Sequence, residues 1–241
     1  MLSSSKSSIQ SGGDDRYERL EFFGLPGLPV CLAYDFRGRH TFRYFTDAYR
    51  WNAKSSELLE RESLKYSSVI FHYGIVFTFI GHAAGLLIPQ SLYTTLGISG
   101  EAHTRLAIAA GALIGVAAAA GSLLLLHRRV TKRRVFVNST RKDLFTLGLL
   151  LFVTGVGTYN VFFGHYYVLD TVAPWIRSIV TFRPDYTLMR DVPFMYKLHI
   201  LAAFVLFAFS PFGRLIHIWS LPLPYLSRNY IIFRKRSADL Q

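Results

Sequence analysis

Four histidines lie within long apolar segments of the sequence and are the residues best suited to chemistry. His72 and His82 lie ten residues apart in one segment, and His199 and His217 lie eighteen residues apart in another. An ionisable side chain inside a membrane segment is costly and therefore indicates function. A neutral imidazole is a good axial ligand for haem iron, and two facing imidazoles complete a six-coordinate b-type site. The pattern therefore favours two histidine-ligated haems.

The pairing of these histidines depends on the directions of their segments. If the first segment runs outward and the last runs inward, His82 meets His199 near the outer face and His72 meets His217 near the inner face. Any one of them alone could instead cap a helix or bond a backbone carbonyl, but two compatible pairs disfavour that interpretation. In one continuous helix, His199 and His217 share a face with a rise of about 27 Å, against about 15 Å for the first two. Tilted helices or haems and a kink at Pro211 are needed to absorb the difference.

The elements that must position these histidines are four apolar segments, each long enough to cross a bilayer, which takes about 20 residues. The chain has 241 residues, of which 51% are hydrophobic, and its mean hydropathy is +0.27, which favours a membrane protein. A fifth apolar segment, residues 22–34, is shorter and contains two prolines and two glycines, so we interpret it as interfacial or re-entrant. The sequence predicts an all-α membrane protein, a transmembrane helical bundle with four clear spans and a shortened N-terminal segment. The spans are residues 68–88, 105–126, 144–163 and about 196–219.

Small residues along the second span indicate close helix packing. Without a side chain in the way, two helix backbones approach closely in lipid and gain van der Waals contact. We therefore expect the second span to lie directly against a neighbour. The small residues are Gly111, Gly115, Ala118 and Gly121.

The charge of the chain narrows its partners. The formal charge of +12 would suit nucleic acid, but the basic residues lie mainly in loops between apolar segments, so we expect a lipid bilayer and no nucleic acid. Residues 36–66, 127–142 and 213–241 hold seven, seven and five Lys or Arg, against one and four in residues 89–105 and 164–197. The three segments rich in Lys and Arg fall on one side of the membrane, which predicts a multi-pass protein of the inner (cytoplasmic) membrane with a cytoplasmic C-terminus.

The cysteine content limits the covalent and metal chemistry of the chain. The single cysteine, Cys31, excludes an internal disulfide, a thiolate metal cluster and a Cys-x-x-Cys-His haem attachment.

The sequence around the histidines resembles the gamma subunit of respiratory nitrate reductase. The resemblance covers roughly residues 34–236, flanked by a polar, Ser-rich and apolar segment (1–33) and a short tail (237–241). It is most specific in the last forty residues. The matching stretches read FHYGI from Phe71, FIGHAAGLLIP from Phe79, KLH from Lys197 and SPFGRLIHIWSLP from Ser210, and residues 175–182 are also similar.

The resemblance implies a specific electron-transfer function. It implies two haem b groups, the outer held by His82 and His199 and the inner by His72 and His217. It also implies that quinol is oxidised near the outer haem and that electrons pass to an iron–sulfur beta subunit. A molybdenum-containing alpha subunit then reduces nitrate, so this chain itself carries no nitrate site.

Other polar residues are candidates for supporting roles. Arg214 and Lys197 are candidates to pair with haem propionates, although Arg214 could instead snorkel to the interface. Gly81 matches a small residue at the family's quinol site. The family has a lysine in the outer loop at that site, where this sequence reads Glu101-Ala102-His103-Thr104-Arg105, so His103 or Arg105 is the candidate replacement.

Alternatives remain open at the level of sequence. A related dihaem subunit of a sulfite- or heterodisulfide-reductase complex would show the same histidines. A small transporter or proton channel, or a scaffold that anchors a partner, would contain no haem. The family also has a complete helix before the first histidine helix, where this chain has only residues 22–34. A misassigned gene start, a partner subunit that fills the gap and a true four-span variant each account for this departure.

Overall fold

The structure, a computed structural model, describes residue 38, residue 56 and residues 58–218. The predicted short segment 22–34, the C-terminal tail and both proposed domain boundaries lie outside these residues. The described residues form helices and connecting segments and no strand, which confirms the all-α prediction. In chain order the helices are α1 (Glu62–His82) with a π-helical turn (Ala83–Leu87), α2 (Gln90–Thr95), α3 (Gly100–Thr131), α4 (Arg133–Val137), α5 (Arg141–Phe163), α6 (Val172–Val180) and α7 (Phe194–Phe209).

Four of these helices are long and apolar enough to cross a membrane, which confirms the prediction of four spans. They are α1 with its π-helical turn, α3, α5 and α7 extended to Phe212. Large apolar side chains remain exposed along them, as expected where lipid rather than water surrounds the bundle. The protein is therefore a multi-pass membrane protein. Examples of exposed side chains are Val69, Phe77, Ile80, Leu106, Leu113 and Leu123.

The helices pack in the order α1, α3, α5 and α7, and small residues set the first contacts. A Cβ added to Gly74 of α1 would lie 2.6 Å from the Ala118 nitrogen of α3. A Cβ added to Gly121 would lie 2.5 Å from the Cα of Phe71. On the other side of α3, a Cβ on Gly115 would lie 3.1 Å from a side-chain atom of α5. The predicted close packing of the second span is thus confirmed, with α1 and α5 as its neighbours.

The fourth span does not continue as a regular helix to its second histidine. The expectation that His199 and His217 share one helical face is therefore wrong, and the helix ends beside Pro211, where the sequence suggests a kink. Helix α7 ends at Phe209, and the chain forms a short 3₁₀ turn (Ser210–Phe212). It is then extended at Gly213 (φ −116°, ψ −169°) before a second 3₁₀ segment (Arg214–Ile218). From His199 to Phe209 the helix covers ten residue steps and rises about 15 Å, as does the stretch from His72 to His82. Beyond Phe209 the rise of a continuous helix no longer applies, so the spacing in sequence does not fix the height of His217.

The bundle has two ends of different character, which we name by their contents. The basic end contains the start of α1, the end of α3, the start of α5 and the Arg214–Ile218 segment. The loop end contains the π-helical turn, α2, α6 and the 3₁₀ segment Tyr186–Met189. Buried apolar clusters lie toward each end: Phe71, Leu150 and Leu215 in one, and Val172, Trp175, Met189 and Val192 in the other.

Candidate dihistidine centres

The loop-end pair joins His82, the last residue of α1, to His199 of α7. The two ring centroids lie 6.0 Å apart with an interplanar angle of 34°. His82 Nδ1 lies 2.8 Å from the Thr78 carbonyl oxygen one turn earlier, and His199 Nδ1 lies 3.1 Å from the Val153 carbonyl oxygen of α5. Gly157 of α5 makes room for the second ring, because a Cβ there would lie 2.8 Å from His199 Cε1.

The basic-end pair joins His72 of α1 to His217 in the 3₁₀ segment after Gly213. Their ring centroids lie 6.2 Å apart, with an interplanar angle of 56°. His72 Nδ1 lies 2.7 Å from the Ser68 carbonyl oxygen, and His217 Nδ1 lies 2.5 Å from the Arg214 carbonyl oxygen. The structure therefore brings the four histidines together in the predicted pairs, and their role as haem ligands stays a prediction.

All four imidazoles share one hydrogen-bonding arrangement. In each, Nδ1 lies within hydrogen-bond distance of a backbone carbonyl oxygen, which accepts but does not donate. A neutral ring must then carry its hydrogen on Nδ1 and its lone pair on Nε2. This is the tautomer that metal-bound histidines adopt when a carbonyl orients the ring.

The spacing of each pair fits a single metal ion between the rings. A metal–imidazole bond is about 2 Å long, so two rings on opposite sides of one ion have centroids about 6 Å apart. Both observed separations match this value. Within residues 58–218, no group of three or more His, Cys, Asp or Glu could hold an ion by itself. Two imidazoles per centre suit a group that supplies its own remaining ligands, as a porphyrin does.

Ion pairs lie at the basic end of the bundle, close to the histidine pair His72 and His217. Arg128, only 3% exposed, donates from Nε to Glu60 Oε2 at 2.5 Å and also binds the Glu60 and Ser56 carbonyl oxygens. Hydrogen bonds from the Ser63 hydroxyl and backbone N–H, together with Arg128, lower the pKa of Glu60 to about 2. Arg214 and Arg129 both donate to the carboxylate of Asp143 at the start of α5.

These contacts bear on the basic residues that the sequence suggested. Arg214 makes a two-point contact with Asp143, and Lys197 donates to the Arg190 carbonyl oxygen at 3.1 Å. Their predicted contacts with haem propionates stay predictions. Arg128 and Arg129, which follow the predicted end of the second span at residue 126, lie instead within α3 and are buried, where acidic and carbonyl oxygens accept their hydrogen bonds.

Polar side chains also gather at the loop end, around the turn that follows His82. His103 is buried against Tyr93, with ring centroids 4.2 Å apart, and its Nδ1 lies 3.3 Å from Gln90 Oε1. The Tyr93 hydroxyl donates to the Ala84 carbonyl oxygen at 3.0 Å, which ties this group to the π-helical turn. By contrast, Arg105 is exposed and pairs with Glu101. A Cβ on Gly81 would meet nothing within 4 Å.

Several supporting residues were not predicted. Asp143 had a detectable signal, because Thr140 and Asp143 form a capping box at the start of α5. Gly157 and Arg177 had no such signal, because their contacts with His199 and Leu86 join residues far apart in the sequence. Arg177 Nη1 donates to the Leu86 carbonyl oxygen, which the end of the helix leaves without a backbone partner.

Comparison with known proteins finds similarity to one family along most of the sequence. The family described as "Nitrate reductase gamma subunit" matches residues 25–236. The nitrate reductase gamma chain of Bacillus subtilis is 42% identical over 214 residues, which cover 87% of this chain and 96% of that protein. The respiratory nitrate reductase 1 gamma chain of Escherichia coli is 35% identical over 199 residues, or 80% of this chain and 88% of that protein. The nitrate reductase-like protein NarX of Mycobacterium tuberculosis is 37% identical over 201 residues, covering 81% of this chain but 31% of that protein.

Proposed function

Because this chain belongs to the nitrate reductase gamma subunit family, we propose that it is the dihaem cytochrome b subunit of a respiratory nitrate reductase. Its membership makes it a membrane subunit of an oxidoreductase complex. In the proposal it oxidises a membrane quinol and delivers the electrons to an iron–sulfur beta subunit. That subunit serves a molybdenum-containing alpha subunit, where nitrate is reduced.

The observation that carries the proposal is the pair of dihistidine centres. Each centre has two imidazoles about 6 Å apart, and each imidazole presents the Nε2 lone pair that a metal requires. A transporter or channel does not require two pairs of imidazoles with the same ring separation and the same tautomer, one pair toward each end of the bundle. A b haem bound between two imidazoles supplies one-electron transfer.

The residues of the chain orient the ligands at each centre. Carbonyl oxygens on α1 hold His72 and His82 from one turn earlier, so both rings are fixed by the helix that carries them. His199 is fixed from the neighbouring helix α5, through Val153. These outer contacts raise the basicity of the ligand and restrict ring rotation, as they do at other metal sites.

For the quinol site we propose the loop end, near His82. Gly81 leaves open space beside that histidine. His103 offers a polar ring held by Gln90 and Tyr93, and Tyr93 also contacts the turn that follows His82. A buried imidazole in contact with two polar side chains suits a hydrogen bond to a quinol hydroxyl. Arg105 is the weaker candidate because it is exposed and already paired with Glu101. The basic end would then face the cytoplasm, with the beta subunit.

The first experiment is a haem count on the purified full-length chain. A reduced-minus-oxidised spectrum with a pyridine haemochrome assay should give two b haems per chain, reducible by a quinol analogue. His82→Ala and His217→Ala should each leave one haem. His127→Ala is the matched control, because His127 lies exposed at the basic end and should leave both haems in place. A folded, haem-supplied preparation without haem would contradict the proposal and favour a transporter or scaffold.

The quinol site needs a separate measurement. His103→Ala should slow quinol-dependent haem reduction at least tenfold while leaving the haem count at two. Arg105→Ala is the comparison variant and should have a smaller effect. If both variants oxidise quinol at the wild-type rate, neither residue takes part.

A further inference from the structure

Asp143 lies where three elements of the basic end meet. Its Oδ1 accepts from Arg214 Nε at 2.8 Å, and its Oδ2 accepts from Arg214 Nη2 at 3.3 Å. Arg129 of α3 donates from Nη1 to the same Oδ2 at 3.4 Å. Because Asp143 is only 7% exposed, water screens these contacts weakly, and the two-point arrangement fixes the guanidinium in direction as well as distance.

The same arginine sets the position of the basic-end histidine. Arg214 begins the 3₁₀ segment, and its carbonyl oxygen lies 2.5 Å from His217 Nδ1. The chain is extended at Gly213, so α7 does not by itself determine the direction of the segment. The side chain of Arg214 is anchored on α5 while its backbone orients His217. A route of contacts therefore runs from Asp143 through Arg214 to the ring.

We propose that Asp143 is a positioning residue that holds His217 opposite His72 by anchoring Arg214. The proposal deepens the proposed function, because the ring it positions is an axial ligand there. Asp143 also caps α5: Thr140 N donates to Asp143 Oδ2 at 3.0 Å, and Asp143 N donates to Thr140 Oγ1 at 3.2 Å. The two roles separate experimentally. Asp143→Asn keeps a carbonyl oxygen for the Thr140 N–H but removes the charge, whereas Thr140→Ala breaks the cap and leaves the charge.

The first test needs no haem. Hydrogen–deuterium exchange on the full-length apoprotein should show amides of residues 214–218 exchanging at least tenfold faster in Asp143→Asn than in wild type. Thr140→Ala should leave exchange in that segment within twofold of wild type and speed it only at the start of α5. Equal acceleration by both variants, or none in Asp143→Asn, would overturn the proposal and reduce Asp143 to a helix cap.

The second test uses the haem-loaded chain. Electron paramagnetic resonance of the ferric protein depends on the relative orientation of the two axial rings. Asp143→Asn should therefore change the signal of the centre that His217→Ala abolishes and leave the other signal unchanged. Thr140→Ala should leave both signals as in wild type. An unchanged basic-end signal in Asp143→Asn overturns the proposal.

If Asp143→Asn folds poorly, Arg214→Gln alone repeats the exchange and resonance tests, and a double-variant comparison shows whether the two residues act through one contact. Arg214→Gln removes the other side of the same contact, so the double variant with Asp143→Asn should be no worse than either single variant. Additive effects on exchange would show that the two residues act separately and would overturn the proposal. If the wild-type chain binds no haem but the two variants show the predicted exchange rates, the proposed function is contradicted. The positioning of His217 by Asp143 through Arg214 is then still supported.

Discussion

The loop-end and basic-end pairs have similar ring separations, 6.0 and 6.2 Å, but different contacts hold them in place. At the loop end, His199 lies within a regular helix and is fixed by a carbonyl oxygen and a close contact with Gly157. At the basic end, His217 lies beyond a helix break, in a segment that an ion pair ties to α5. The loop-end centre is positioned by close packing, and at the basic end an ion pair adds to the packing.

This difference follows from the backbone that carries each ring. His199 lies within a regular helix, where a small residue on the neighbouring helix lets the ring approach closely. Near the basic surface, charged side chains reach partners that are withdrawn from bulk water but still polar. Loss of a charge should therefore affect the basic-end centre and not the loop-end centre, which makes the comparison testable.

The largest loss of stability and of haem binding should come from disrupting the packing of α1 against α3, on which both centres depend. Gly121→Ala places a Cβ 2.5 Å from the Phe71 Cα and pushes α1, which carries a histidine of each pair, away from α3. Overpacking of this kind costs about 1–3 kcal/mol. We expect a lower thermal midpoint and loss of haem from both centres. Gly148→Ala is the control, because its Cβ would meet nothing within 4 Å and alanine favours the helix.

A smaller effect, confined to the loop end, should follow from Gly157→Ala. The new methyl group would lie 2.8 Å from His199 Cε1, so the ring must shift away from Val153 and His82. We expect haem to bind about tenfold more weakly at this centre, which corresponds to about 1.4 kcal/mol. Haem titration of the apoprotein measures this change in affinity. Gly155→Ala, with open space around its Cβ, should bind as wild type; equal weakening in both variants would argue against positioning by close packing.

Gly213→Ala should act in the same way at the basic end alone. Its Cβ would lie 2.7 Å from Thr146 Oγ1, which is held by a 2.8 Å hydrogen bond to the Lys142 carbonyl oxygen. The 3₁₀ segment must then move, and haem binding at that centre should weaken several-fold. Removing the obstructing hydroxyl in Gly213→Ala/Thr146→Ala should restore binding. If the double variant binds haem no better than Gly213→Ala alone, the weakening comes from a change in the backbone and not from the contact with Thr146.

The sequence sufficed for the spans and for the histidine partners. Apolar length identifies a membrane helix directly, and antiparallel direction decides which histidines meet. The break at Gly213 was not predicted as a break, because the sequence shows an apolar stretch containing one proline and does not show Thr146 packed against the glycine. The contact of Arg214 with Asp143 joins residues 71 positions apart, so no local pattern contains it.

The smallest effect should be the pH dependence that Glu60 contributes at the basic end. Hydrogen bonds from Ser63 and the contact with Arg128 lower its pKa from 4.5 to about 2 in the folded state. A lowered folded-state pKa stabilises the protein above the unfolded pKa, and this contribution is lost as pH falls toward 2. The free-energy difference between wild type and Glu60→Gln should thus be constant above about pH 5 and shrink below about pH 4.5.

The size of this difference should be modest. If Glu60 is neutralised, Arg128 still donates to the Ser56 hydroxyl, the Ser56 carbonyl oxygen and the Glu60 carbonyl oxygen, so its buried charge is not left unpaired. We therefore expect about 1 kcal/mol at pH 7, measured as the shift in thermal midpoint in detergent. Haem content should not change, because Arg128 is not part of the route from Asp143 to His217. A loss of the basic-end haem in Glu60→Gln would show instead that the whole charged surface, and not Asp143 alone, positions that centre.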